Sequence, residues 1–245
     1  MSFATHDGGG DATTANTAAA TRGSHVFSTR DDRALAAWEI VSVVSTVLVG
    51  EWVVFSVGGG SQLLVMIPLT LALGFIFCSH RLWRESAREL GWRLDNFKEA
   101  ARLLAFPMLA ASAALVAFGL FNGYLDFTRW RGGQSVFGIP ALGFLWGLAQ
   151  QYVLQSFINR RAQIIFGRGA RSILLVAALF AALHLPNPTL AVATFAGGLL
   201  WASVFQRAPN LFALALSHSL MTWILASTIP PSILQGLRVG YKFFS

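Results

Sequence analysis

The sequence predicts an all-α polytopic membrane helix bundle with about seven transmembrane helices. Three observations lead there. Of 245 residues 55% are hydrophobic and only 12% charged, at a mean hydropathy of +0.58. The apolar residues gather into windows of helix-spanning length, and the charges gather into short stretches between them. No alternating strands of the kind a membrane barrel requires are present, while twenty Phe and eight Trp suit a lipid-facing surface with aromatic girdles.

Residues 1–33, rich in Gly, Ala, Thr and Asp, lack the apolar stretch of a cleavable signal and too little of them is apolar to bury a core, so they are expected to form a disordered tail. The expected spans follow as Leu35–Val57, Gln62–Cys78, Ala101–Tyr124, Phe137–Ile158, Ser172–His184, Pro188–Phe205 and Leu211–Thr228, forming one domain over 34–245. The fifth is short and closes on Leu185-Pro186-Asn187-Pro188, which cannot continue a helix. Residues 230–245 are too short and too polar for an eighth span.

The connections carry the charge. Between spans two and three, Arg81, Arg84, Arg88, Arg93, Lys98 and Arg102 alternate with Glu85, Glu89, Asp95 and Glu99, and Leu82, Trp83, Leu90 and Trp92 supply an apolar side, which predicts an amphipathic helix in the interface. Arg160, Arg161, Arg168 and Arg171 follow span four without an acid. With seven spans, Arg129, Arg131, Arg238 and Lys242 fall on one side and the other fourteen of the eighteen Lys and Arg on the opposite side. The positive-inside rule then makes the N-terminus cytoplasmic, in a cell membrane. The net charge of +7 reports this topology, so nucleic acid is not an expected partner. Cys78 stands alone, which excludes an intrachain disulfide and a C-x-x-C metal site.

Polar side chains inside the spans are the functional clue, because an unpaired amide or imidazole is costly in hydrocarbon. Gln150 and Gln151 lie in span four, His184 closes span five and His218 lies in span seven. At 1.5 Å per residue, Gln150 is about 15 Å from Arg160, His184 roughly 20 Å from Arg171 and His218 about 12 Å from Asn210, a common slab on the order of 8 Å thick. Gln151, Gln155 and Asn159 repeat every four residues along one face, with Gln150 turned about 100° away. Such a stripe also serves as interhelical glue, and a lone span histidine often bonds only a backbone carbonyl. Two histidines and a double Gln at matched depth favour a shared site. Among weaker candidates, Glu39 is expected at the interface, Glu51 near the far end of span one is a possible carboxylate donor to the site, Arg160 and Arg161 are expected to set topology, and Gly197, Gly198 and Trp201 to mark close packing. Two histidines fall short of the three protein ligands of a catalytic zinc, so neither metal nor cofactor is expected.

The order Gln150-Gln151-x-x-x-Gln155, Phe180-Ala181-Ala182-Leu183-His184, then His218 resembles the CAAX prenyl protease and bacteriocin-processing family of intramembrane proteases, also called Abi proteins, over roughly Pro140 to Ser227. The family motifs are Glu-Glu-x-x-x-Arg, Phe-x-x-x-His, and a His followed four residues on by Asn or Asp. The resemblance implies a CAAX-protease-like bundle, a site of Gln150, Gln151, His184 and His218 lined by Gln155, Phe180 and Thr222, and a membrane-associated peptide or prenylated protein as substrate beside membrane lipid. In the family the first glutamate, helped by histidine, activates water, and the last histidine with its Asn supports the oxyanion. This chain has Gln at both glutamate positions, Gln155 at the arginine and Thr222 at the last position. An amide has no basic oxygen to take the proton from water, although imidazole, amide and hydroxyl groups can still support an oxyanion. Two alternatives stand: an intramembrane endopeptidase acting through His184 and His218, or a pseudoprotease that binds a peptide or lipid-linked partner in the same cavity. Exchanging two carboxylates and their cation together keeps hydrogen bonding and discards charge.

Overall fold

A computed structural model describes residues 30–129 and 140–244, with the side chains of 140 and 141 excepted. Among the described residues the chain is helical, without strands. Helix α1 is Arg30–Val57, with a π-helical stretch Val49–Val54. Then come α2 (Gln62–Leu82) and α3 (Phe97–Phe121). Helix α4 covers 140–166 as Pro140–Gln151, a π-helical stretch Tyr152–Asn159, and Arg160–Phe166. Helices α5 (Ala170–Ala182), α6 (Pro188–Arg207) and α7 (Leu211–Thr228) follow, and the chain ends in the short helix α8 (Pro231–Leu234) and two 3-10 turns. Five helices, α1, α2, α3, α6 and α7, are long and apolar enough to cross a membrane. The other two expected spans are α4, which carries the glutamines and arginines, and α5, only 13 residues long. The protein is a multi-pass integral membrane protein. Of the expected tail, residues 1–29 lie outside the described residues, as do 137–139 of the fourth expected span, and residues 30–33 form the first turn of α1.

Local chemistry explains the boundaries. Asn187 caps α6, its side-chain oxygen accepting from the Leu190 N–H at 3.1 Å, and Pro188 occupies the first helical position, where no N–H is needed. Asn210 caps α7 the same way through Ala213 at 2.9 Å. Gly198 lets α6 lie on α5, since a Cβ there would be 2.8 Å from the Ala177 Cα. Phe157, Val176, Phe180, Trp201, Leu211 and Leu214 are all buried in one core where α4, α5, α6 and α7 meet.

The connection between α2 and α3 departs from expectation. Arg81–Arg102 is not an interfacial helix: residues 83–96 are turns. The backbone there is committed to tertiary bonds. Ser156 donates to the Leu90 carbonyl at 2.6 Å, Leu211 N–H to the Gly91 carbonyl at 2.9 Å, and Asn210 to the Arg93 carbonyl at 2.7 Å. Gly91 has φ +86°, a conformation favouring glycine, and a Cβ on it would be 3.0 Å from the Phe205 ring.

The charges expected at the interface are also inside. Glu39 is 4% exposed and Arg161 fully buried. Arg161 donates through Nε to Glu39 at 2.5 Å, through Nη1 to Glu85 at 2.9 Å and through Nη2 to the Ser79 hydroxyl at 2.7 Å, while its guanidinium lies over the Trp83 and Phe157 rings. Glu85 also meets Arg160 at 2.5 Å and His80 Nδ1 at 2.6 Å. Arg160 and Arg161 thus lock α4 to α1, α2 and the 83–96 connection, which a free topological charge would not do. Burial opposes the charge of Glu85, but hydrogen bonds from His80 and Arg161 and two adjacent guanidinium groups outweigh it and hold the carboxyl at about 2, against an ordinary 4.5. A carboxyl depressed on folding stabilises the fold above its unfolded value and loses that contribution as pH falls toward the folded one. Wild type is therefore expected to melt at progressively lower temperature from pH 4.5 down to about 2, and Glu85→Gln to flatten that slope. Equal slopes in detergent melts of the two proteins would refute the assignment.

Candidate functional site

Helix α4 approaches α7 closely because Gly147 has no side chain: a Cβ there would be 2.7 Å from the Ser219 hydroxyl and 3.1 Å from the Ala215 carbonyl. Ser219 in turn donates to the Gly143 carbonyl at 2.9 Å. One turn along, this approach sets the Gln151 amide against His218, with Nε2 to Nδ1 at 3.2 Å. An amide nitrogen only donates, so in this orientation His218 Nδ1 is the acceptor and its proton sits on Nε2. The imidazole stacks on Trp201, centroids 4.5 Å apart and planes at 28°, and Trp201 Nε1–H donates to the Ser217 hydroxyl at 2.9 Å. Gly197 leaves room for that indole, since a Cβ there would be 2.6 Å from the Trp201 ring.

His184 lies in the turn after α5. Its Nδ1 is 2.7 Å from the Phe180 carbonyl. A carbonyl only accepts, so Nδ1 carries the proton and Nε2 keeps its lone pair. Phe180 is buried and packs edge-on against both imidazoles, 4.8 Å from His184 and 5.9 Å from His218. The two rings therefore share Phe180, one with an accepting and one with a donating Nε2.

The other expected residues fall as follows. Gln151, Gln155 and Asn159 are each fully buried. Asn159 donates to Gln155 Oε1 at 2.9 Å, and Gln206 donates to Asn159 Oδ1 at 2.9 Å and to Ser172 at 2.9 Å, so an amide ladder runs from mid-helix to the 167–169 turn. Gln150 Oε1, Gln151 Oε1 and Gln155 Nε2 are buried with no hydrogen-bond partner. Each such atom costs about 1–3 kcal/mol. Gln150 bonds to none of the other site residues. Thr222 does not present its hydroxyl beside the imidazole: it donates to the His218 backbone carbonyl at 3.0 Å, one turn back. Glu51 lies against the C-terminal segment, where a Cβ at Gly240 would be 2.9 Å from its own, and it makes no hydrogen bond to His184 or His218. Among the described residues no three His, Cys, Asp or Glu side chains gather as metal ligands.

Trp201, Ser217, Gln206 and Ser172 were missed as site or ladder residues by sequence reasoning. Trp201 had a weak signal in its neighbouring glycines, which mark the space its indole occupies. The others are polar residues on α5, α6 and α7 whose partners are distant in sequence.

Fold and site together define a class: a multi-pass membrane helix bundle with a histidine pair and a neutral amide set where α4, α5, α6 and α7 meet. The family model of Type II CAAX prenyl endopeptidase Rce1-like proteins matches residues 132–224, a stretch that holds Gln150, Gln151, Gln155, Phe180, His184 and His218. Over this stretch, somewhat more than a third of the chain, the protein is similar to the Type II CAAX prenyl endopeptidase Rce1-like family. No curated protein and no solved structure matches the chain.

Proposed function

We propose that this protein holds a membrane-associated peptide or lipid-linked segment at the His184–His218 site without hydrolysing it, a pseudoprotease on the family's scaffold. The observation that carries this reading is the Gln151–His218 bond. A glutamate at 151 would accept from Nδ1–H and leave the lone pair on His218 Nε2. The glutamine amide, oriented with its nitrogen toward the ring, inverts that arrangement and makes the imidazole Nε2 a donor, removing one base from the site. Gln150 has no basic oxygen for water, and Glu51 is engaged elsewhere.

Purified wild type incubated with prenylated peptides of the family type is expected to give no cleavage above that of a detergent blank. The opposite reading has one specific support, the free lone pair on His184 Nε2, which is placed to accept a proton. Robust cleavage by wild type, abolished by His184→Ala or His218→Ala, would establish hydrolysis through the histidines and overturn the binding-only reading.

The basic connections share one end of the bundle through the Glu85–Arg160 and Glu85–Arg161 contacts. The excess of Lys and Arg there supports a cytoplasmic N-terminus and a cytoplasmic 167–169 turn in a cell membrane. A cysteine at position 168 in a Cys78→Ser background is expected to resist membrane-impermeant reagents added outside intact cells. Labelling from outside would reverse the orientation.

A further inference from the structure

Residues 231–244 are bound to the turn that carries His184. Gly240 N–H donates to the Leu185 carbonyl at 3.0 Å, and the fully buried Asn187 side chain donates to the Leu234 carbonyl at 2.9 Å and the Arg238 carbonyl at 3.2 Å. Asn187 is in turn tied to His184, its N–H donating to the His184 carbonyl at 3.1 Å. Leu234 packs with Leu190 of α6 and Ala226 of α7. The far end of the segment lies on α1: the Phe244 and Trp52 ring centroids are 6.3 Å apart, Gly240 abuts Glu51, and Lys242 is close enough to attract the Glu51 carboxylate.

Helix lengths explain what this segment does for the turn. At 1.5 Å per residue α5 is about 20 Å long and α6 about 30 Å, and Gln206 holds their other ends level by accepting from the Gly169 N–H at 2.9 Å. The end of α5 therefore stops about 10 Å short of the end of α6, within a hydrocarbon core about 30 Å thick, and the 183–187 turn crosses the difference. Irregular backbone at that depth is tolerated only where protein or water satisfies its polar groups. Residues 231–244 supply those partners to the Leu185 carbonyl and the Asn187 amide. They do so against their own preference, since Gln235 and Leu237 are held at φ +50° and +60°, a region that residues with side chains leave unless surrounding contacts impose it.

We propose that residues 231–244 are a strap that regulates the site. Latched, the strap keeps water from the His184 turn; unlatched, it leaves the Leu185 carbonyl and the Asn187 amide to be satisfied by water beside His184. Arg129 donates to the Ala226 and Ile229 carbonyls at 2.8 and 2.7 Å, so the pivot lies beyond Ile229. The inference rests on His184 belonging to the peptide-holding site proposed above and adds the regulation of that site.

The test uses full-length protein in nanodiscs. Asn187→Ser keeps a side chain able to cap α6 but too short to reach Leu234 and Arg238, and Gly240→Val puts a Cβ 2.9 Å from that of Glu51. The readout is deuterium exchange at the His184 imidazole Cε1–H, which requires water at the ring and is followed by mass spectrometry. Both variants are expected to exchange about tenfold faster than wild type at His184, as for a local opening, with the rate at His218 unchanged. Equal rates at His184 in the three proteins, or an equal rise at His218, would overturn the strap. Should both variants fail to fold, wild type alone is sufficient: amides of 231–244 and 183–187 are expected to exchange together and ahead of those of α6. A turn that stays protected while 231–244 exchanges would overturn the strap. Anisotropy of a fluorescent prenylated peptide on the same wild type separates the two ideas, since absence of binding alongside the expected exchange would overturn only the peptide-holding reading.

Discussion

Arg161→Met is expected to be the most damaging single substitution in the protein, costing about 3–5 kcal/mol. The guanidinium is fully buried and donates to Glu39, Glu85 and Ser79 at 2.5, 2.9 and 2.7 Å. Removing it leaves Glu39, itself buried, with no cation in contact and only the Ser79 and Trp83 donors. Glu85 keeps Arg160 and His80. The loss should fall mainly on Glu39, so Arg161→Met with Glu39→Gln is expected to recover much of the stability, because breaking one member of a buried ion pair costs more than neutralising both. Thermal melts in detergent of wild type, the single and the double variant check this. A single variant that melts with wild type would show that the network does not hold α4 to α1.

This network was not legible in the sequence for a physical reason. Glu39 and Arg161 are 122 residues apart, and each sits near the end of an apolar window, where a charge ordinarily snorkels to water. The alternating charges of 81–102 imitate an amphipathic helix, yet Glu85 faces inward to His80, Arg160 and Arg161, and Gly91 at φ +86° breaks any helix there. What was legible rested on hydropathy and on polar residues in the wrong solvent. The apolar windows locate the five membrane-length helices, with ends shifted by up to five residues, as where α1 starts at Arg30, α2 runs on to Leu82 and α3 starts at Phe97. The cost of burying Gln151 and His218 singly pointed to a meeting, and they lie 3.2 Å apart. Depth alone gave no rotation about the helix axis, so the partner of Thr222, the stack of Trp201 and the isolation of Gln150 from the histidines needed coordinates.

Restoring the family's charges tests whether the glutamines are a coherent neutral set. Gln150→Glu with Gln151→Glu places two carboxylates where Gln151 is fully buried and no guanidinium is free on α4. One charge can be eased by His218, whose Nδ1 would then donate to the new carboxylate, but the second has no cation beside it, and a buried unpaired charge costs about 3–5 kcal/mol. Adding Gln155→Arg supplies that cation one turn from 151, on a side chain whose Oε1 at present accepts only from Asn159. The triple variant is therefore expected to melt above the double, although below wild type, since Asn159 loses its acceptor and the arginine must fit a fully buried position. The same proteins in a peptide-cleavage assay separate scaffold from chemistry: hydrolysis that appears in the triple variant and is absent from wild type would show that the histidine pair remains competent and that the neutral amides alone silence it. A double variant as stable as wild type would mean that the site is wet enough to solvate charge, and the argument from buried, unpaired amides would fall with it.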